Sequence, residues 1–215
     1  MKFTELLETV GDAPLFESAL LLAGDVDPDD VRRQLSRWTS AGKLIQLRRG
    51  LYTLAAPYQK NPPHPFLVAN YLASPSYVSL QTALAHDALI PEYTAVITSV
   101  TTGRPERVET PLGHYEFRHV QTSRFYGFRL REVAPDQQAF VAEPEKALLD
   151  LVYLHPGGDA LSHLRGLRLQ NLDQLSVDRL QQLVQRADSL KLERAVANIT
   201  SLIKTEAEIG YETLS

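Results

Sequence analysis

The sequence predicts an α+β protein, with an N-terminal winged helix-turn-helix followed by a larger, mixed α+β C-terminal domain. Three observations lead there. Apolar residues recur at helical spacing three times before Gly42, and the period then switches to two short extended runs across a glycine. A proline-rich stretch follows, and beyond it extended and helical patterns alternate. Finally, 215 residues suffice for a small domain plus a medium one. The expected division is 1–56 for the winged domain, 57–65 for a linker and 66–215 for the C-terminal domain.

Phe3, Leu6, Leu7 and Val10 repeat at helical spacing until "GDAP" breaks the pattern. "LFESALLLAG" reads as a second compact helix, ended by Gly24. In the third, Asp27 sits at the N-cap, Pro28 suits the first helical position, and Asp30 complements the positive end of the helix dipole. Val31, Leu35 and Trp38 recur at i, i+4 and i+7 as the buried stripe, and Gly42 is the expected stop. "KLIQLRR" and "LYTLA" then form a hairpin across Arg49-Gly50, where glycine takes the positive φ of a tight turn. "AAPYQKNPPHP" holds four prolines in eleven residues, a composition that favours an extended, stiff linker.

Beyond the linker, "PFLVANYLAS" and "SLQTALAHDALI" read as helices, the latter entered through a short "SYV" strand. "YTAVITSVT", "GHYEFRHV" and "FYGFRLREV" read as strands, the last two alternating with Tyr115/Phe117 and Tyr126/Phe128/Leu130 on one face. "AFVAEPEKALLDLVYL" gives a strand and then a helix with Pro144 in its first turn. In the helical tail, Leu192, Ala195, Val196, Ile199, Leu202 and Ile203 fall on one stripe.

Charge is distributed unevenly. The chain's formal net charge is −4, yet residues 31–60 carry seven cations (Arg32, Arg33, Arg37, Lys43, Arg48, Arg49 and Lys60) and no acid. Residues 1–30 carry eight acids against one lysine. One concentrated basic segment in a mildly acidic chain points to a local polyanion contact. With Val31, Leu35 and Trp38 turned inward, Arg32, Arg33, Ser36, Arg37 and Ser40 cover the opposite side of the third helix. A helix fits the major groove, where arginine pairs with guanine and serine donates to phosphate or base edges. Lys43, Arg48 and Arg49 lie on the hairpin, placed to ride on the adjacent backbone. Double-stranded DNA is the expected partner. A solvated basic helix face is the competing reading, in which Arg32 and Arg33 pair with Asp29.

No cysteine is present, which excludes disulfides and thiolate metal sites and suits a reducing cytoplasm. Apolar runs such as "ALLLAG" are too short to span a membrane, and the acidic N-terminus lacks the apolar stretch of a secretory signal.

"LSRWTSAGKLIQLRRGLYTL" resembles the N-terminal winged helix of AbiEi-type antitoxins. "PSYVSLQTALAHDALIPE", "ITSVTTGR" and "FVAEPEKALLDLVYL" resemble the same family in the same order, so the resemblance runs from about Asp27 to Leu154. It implies a type IV toxin–antitoxin component. The winged domain would bind inverted repeats in its own promoter and repress the operon. The C-terminal domain would counteract a cognate nucleotidyltransferase-like toxin, weakly or indirectly rather than in a lasting complex. The family's basic recognition helix falls on Arg32, Arg33 and Arg37, and its basic wing on Arg48 and Arg49. No catalytic set carries over, and no cofactor is implied.

Other constellations are weaker. Glu143, Glu145, Lys146 and Asp150 in "EPEKALLDL" hold the carboxylates and lysine of a nuclease. They also read as dipole-favouring acids at a helix start and an ordinary i, i+4 surface pair, and the expectation is that the chain is not an enzyme. The six histidines show no zinc spacing. Arg104, Arg107, Arg118, Arg124, Arg129 and Arg131 form a diluted basic region expected on solvent-facing strand positions. A regulator without a toxin partner, whose C-terminal domain binds a small ligand between Tyr115, Phe117, Tyr126 and Phe128, is the alternative function.

Overall fold

The computed structural model describes residues 1–23 and 26–212, the last seven of these by their backbone alone. It is mixed α+β, with a three-stranded sheet near the N-terminus and a six-stranded mixed sheet beyond it. The chain runs α1 (Phe3–Val10), β1 (Phe16–Glu17), a 3-10 turn (Ser18–Leu22), α2 (Pro28–Ser40), β2 (Leu44–Arg48) and β3 (Leu51–Leu54). β1 and β2 flank β3 antiparallel, in the order β1-β3-β2.

α2 forms as its sequence signals require. Asp27 Oδ1 accepts from the Asp29 amide at 2.8 Å, Pro28 opens the helix, and Val31 and Leu35 are buried. Gly42 and Gly50 take positive φ, one after the helix and one at the hairpin turn. The second expected helix is not one. Phe16 pairs with Tyr52 across the sheet and stacks on its ring at 5.8 Å, so "LFESALLLAG" splits into β1 and the 3-10 turn. The apolar run alone does not distinguish a helix from a strand followed by a turn. Its expected end at Gly24 lies outside the described residues.

The second unit comprises α3 (Pro65–Leu72), β4 (Ser76–Val78), α4 (Leu80–His86), β5 (Val96–Thr101), β6 (Glu106–Thr110), β7 (Gly113–His119), β8 (Phe128–Ala134), β9 (Gln137–Ala142) and α5 (Pro144–Leu154). It ends in α6 (Leu161–Gly166), α7 (Val177–Ala187) and α8 (Leu190–Glu212). The sheet order is β6-β7-β5-β4-β9-β8, with β5–β7 and β4–β9 parallel and the other pairs antiparallel. β4 and β9 share one register pair, Val78↔Val141. Beside it Asn70 of α3 accepts from the Phe140 amide at 2.6 Å and donates to the Ser76 and Phe140 carbonyls at 3.5 Å. A side-chain amide thus satisfies backbone groups where the two strands diverge.

Three further differences from expectation have local causes. β6 is a strand without sequence signal, because its residues alternate no apolar face and it forms a largely exposed edge. Tyr126 does not share a strand face with Phe128 and Leu130. Gly127, at φ +76°, turns the chain before β8, and the Tyr126 hydroxyl donates to the Leu183 carbonyl at 2.8 Å. The expected stiff linker is pinned from outside. Gln137, nearly fully buried, donates to Asn61 and to the Pro62 carbonyl at 2.8 Å and accepts from the His64 amide at 2.7 Å.

Two apolar clusters hold the molecule. The smaller joins Leu6, Val10, Phe16, Leu21, Val31, Leu35, Leu44, Tyr52 and Leu54. The larger fills the second unit but also takes in Leu15, Leu47 and Leu51, so the three-stranded sheet lends one face to the main core. The tail stripe packs as its period requires, with Leu192, Ala195, Val196 and Ile199 buried and Leu202 and Ile203 against the core. Among the described residues no helix is long and apolar enough to cross a membrane.

Candidate nucleic-acid interface

α2 and the hairpin enclose an open cleft of about 430 Å³. Arg32, Ser36 and Ser40, four residues apart on one helical stripe, form one wall with Thr39. Gln46 of β2, Arg49 and Gly50 of the turn, and Ser18 form the other. Leu35 and Tyr52 lie at the base, where burial raises the Tyr52 hydroxyl above its ordinary pKa. Among the described residues no acid lines the cleft. Arg33 and Arg37 follow on the next stripe of the same exposed helix side.

The helix places its charges in two zones. In the first turns Arg32 pairs with Asp29 at 2.7 Å and Arg33 pairs with Asp30. The Asp30 hydrogen bond, reinforced by its charge, raises the already high Arg33 pKa. All four side chains are well over half exposed, so the ion pairs are weak and exchange readily for a phosphate. Toward the C-terminus the acids stop. Among the described residues neither Arg37 nor Arg49 makes an ion pair, and with Ser36 and Ser40 they leave donors facing outward.

Of the eight residues singled out, the structure brings Arg32, Ser36, Ser40 and Arg49 into one cleft and sets Arg33 and Arg37 beside it. Two lie elsewhere. Lys43 sits with its ammonium 4.6 Å from the centre of the Phe3 ring, on the α1 side. Arg48 turns toward the second unit, where its guanidinium donates to the Leu72 carbonyl at the end of α3. Arg48 ends β2 at a register irregularity opposite Leu51, whereas Arg49 already belongs to the turn, so the two neighbouring side chains reach different partners. Gln46 and Ser18 enter the cleft by register alone, which no local sequence signal reveals.

No family model and no curated protein matches the chain.

The "EPEKALLDL" stretch requires a correction. Lys146 and Asp150 are not a surface pair but lie beneath Tyr77 and Ser79, both hydroxyls donating to Asp150 Oδ2 at 2.9 Å while the Lys146 ammonium bonds Oδ1. Burial pushes the Asp150 carboxyl up, opposed by the Lys146 charge and the three donors. Tyr77 is pushed upward too, by burial first and the Asp150 charge second. Glu145 accepts from the Ser176 amide at 2.8 Å, and Glu143 is bound by Arg179 at 2.6 Å. The three carboxylates of the stretch thus hold α5 to its neighbours, and Lys146 balances the charge of Asp150.

Among the dispersed arginines, Arg131 is mostly covered rather than solvent-facing and makes two bonds to Asp87, at 2.8 and 3.0 Å. Arg124 lies 4.5 Å from the centre of the Tyr153 ring and donates to the Ala187 carbonyl. The pocket expected between Tyr115, Phe117, Tyr126 and Phe128 does not exist as such. The first three are buried in the main core, where Tyr115 is pushed up to about 12 by burial. Among the described residues no three metal-ligating side chains gather in one place.

Proposed function

We propose that the protein is a DNA-binding transcriptional regulator whose N-terminal unit is a winged helix, with α2 as the helix that enters the major groove and the Arg49-Gly50 turn as its wing. The cleft that unites Arg32, Ser36 and Ser40 of α2 with Arg49 of the hairpin carries this reading. The sheet order β1-β3-β2 behind three helical segments supports it, since it braces the hairpin beside α2. Arg33 and Arg37 widen the basic surface along the groove, and Asp29 and Asp30 release Arg32 and Arg33 at little cost.

The resemblance to AbiEi-type antitoxins extends the proposal. The bound DNA would be inverted repeats in the promoter of the protein's own operon, and the C-terminal unit would counteract a nucleotidyltransferase-like toxin. Such a repressor works in the cytoplasm and needs no cofactor or catalytic group.

Fluorescence anisotropy with the DNA upstream of the reading frame, over a salt series, tests the DNA reading. Roughly four to six phosphate contacts per subunit predict a slope of about −4 to −5 in log K against log salt. Arg32→Ala and Arg37→Ala should each cost about 1–3 kcal/mol on the specific site and relax its sequence preference, whereas Arg49→Ala weakens all duplexes evenly. Affinity for the upstream DNA no greater than for random duplex at physiological salt would reject the proposal. Co-expression with a neighbouring nucleotidyltransferase tests the antitoxin extension separately, with restored growth as the expected outcome.

A further inference from the structure

A second cavity lies where the two units meet, and it shares no lining residue with the α2 cleft. This groove measures about 490 Å³, within the size range of small-molecule sites, and junctions of this kind are where such sites concentrate. Its apolar walls are Leu67 and Tyr71 of α3 with Phe125, Phe128, Leu130 and Phe140 from the sheet edge. Phe128 is fixed from three sides, stacked on Tyr77 at 4.4 Å and edge-on to Phe125 and Phe140 at 4.9 and 5.8 Å. Leu130 and Phe140 are directly paired across β8 and β9, yet they stand 50% and 44% exposed. Large apolar side chains kept rigid but uncovered around a concavity provide binding surface for an apolar body.

The polar groups of the groove, Glu17, Arg48, Asn70, Ser74, Ser76 and Gln138, differ in availability. Asn70 is consumed by the β4 and β9 backbone. Arg48 is not. Its bond to the Leu72 carbonyl holds the guanidinium in place and leaves its other N–H groups open, and among the described residues no carboxylate lies within ion-pair distance of it. Glu17 and Arg48 are both in register with Leu51, one on each flanking strand, so the two charges share a sheet face without neutralising each other. A fixed, unpaired guanidinium beside an aromatic wall recognises a carboxylate. Glu17 on the same rim disfavours a second negative charge.

We infer that this junction groove binds a small carboxylic acid, one carboxylate on a flat apolar body, with the carboxylate on Arg48 and the body against Phe128, Leu130 and Phe140. Such a ligand touches the hairpin and the large sheet at once, so its binding free energy acts on the placement of one unit against the other. The inference does not depend on DNA binding, because every measurement below uses the free protein.

2-Naphthoate and its neutral counterpart 2-naphthamide are the probes, followed by calorimetry and by amide NMR shifts on the full chain. 2-Naphthoate should bind saturably with a Kd on the order of 10⁻⁴ M, and 2-naphthamide roughly tenfold more weakly. Shifts should centre on β8, β9 and the hairpin. Arg48→Gln should abolish the difference between the two probes, and Phe140→Ser should weaken both. The wild-type comparison stands even if a variant folds poorly. No saturable binding of 2-naphthoate at millimolar concentration, equal affinity for the two probes, or shifts confined to other surfaces would overturn the inference.

Discussion

Lys146 and Asp150 stand four residues apart, and in one dimension that spacing describes a surface pair. Nothing local shows that Tyr77 of β4 and Ser79 just beyond it, some seventy positions earlier, close over them. Folding around a buried pair carries a heavy desolvation cost that its hydrogen bonds offset, so removing one partner leaves an uncompensated charge. Lys146→Met alone should therefore lower stability by about 3–5 kcal/mol in urea unfolding, while Lys146→Met with Asp150→Leu should recover most of the loss. A neutral single substitution would show that the pair is not held as a unit. His163 gives a pH dependence of definite sign. Burial first, then His155 stacked at 4.3 Å and the Lys191 ammonium, lowers its pKa below the ordinary 6.5. A group depressed on folding contributes stability above its unfolded pKa and loses it as pH falls through the folded value. Burial depresses His64 likewise. The melting temperature should thus fall as pH drops below about 6.5, and His163→Gln should flatten that fall.

At the scale of elements, legibility followed the locality of the cause. α2 could be read almost residue by residue because its cap, its proline and its stripe all lie within the helix or next to it. The hairpin was equally clear, since Gly50 and the change of period are local. "LFESALLLAG" was not, because Phe16 is drawn into a sheet by Tyr52, thirty-six positions later. The cleft between α2 and the hairpin sits between these cases. Its helical half was visible as charge opposite an apolar stripe, but the division of Arg48 from Arg49 depends on strand register. The Asp27 cap offers a direct check on the legible half. Asp27→Ala removes the acceptor of the Asp29 amide and should cost about 1 kcal/mol of stability. Unchanged unfolding in urea would mean that the bond to the Asp29 amide contributes nothing.

For the molecule as a whole, the proline-rich segment suggested two bodies joined by a spacer, whereas Leu15, Leu47 and Leu51 place part of the first body inside the core of the second. Those three leucines look like any other strand or loop apolars in the sequence, because which face of a three-stranded sheet meets a second unit is a tertiary fact. Gln137 tightens the arrangement by tying the segment between the units to β9. A shared core couples the stabilities of the parts it joins, and coupled parts unfold together. The chain carries a single tryptophan, Trp38, set edge-on to Phe3 at 5.3 Å in the smaller cluster, so its fluorescence reports the N-terminal unit alone. Far-UV circular dichroism reports mainly the larger unit. Thermal unfolding followed by the two signals should give coincident curves, with calorimetric and van't Hoff enthalpies equal. Leu51→Ala empties a fully covered site at the junction and should cost about 2–5 kcal/mol, shifting both curves by the same amount. A tryptophan transition that runs ahead of the circular dichroism transition would show instead that the hairpin's leucines rest on the second unit without being part of its cooperative core.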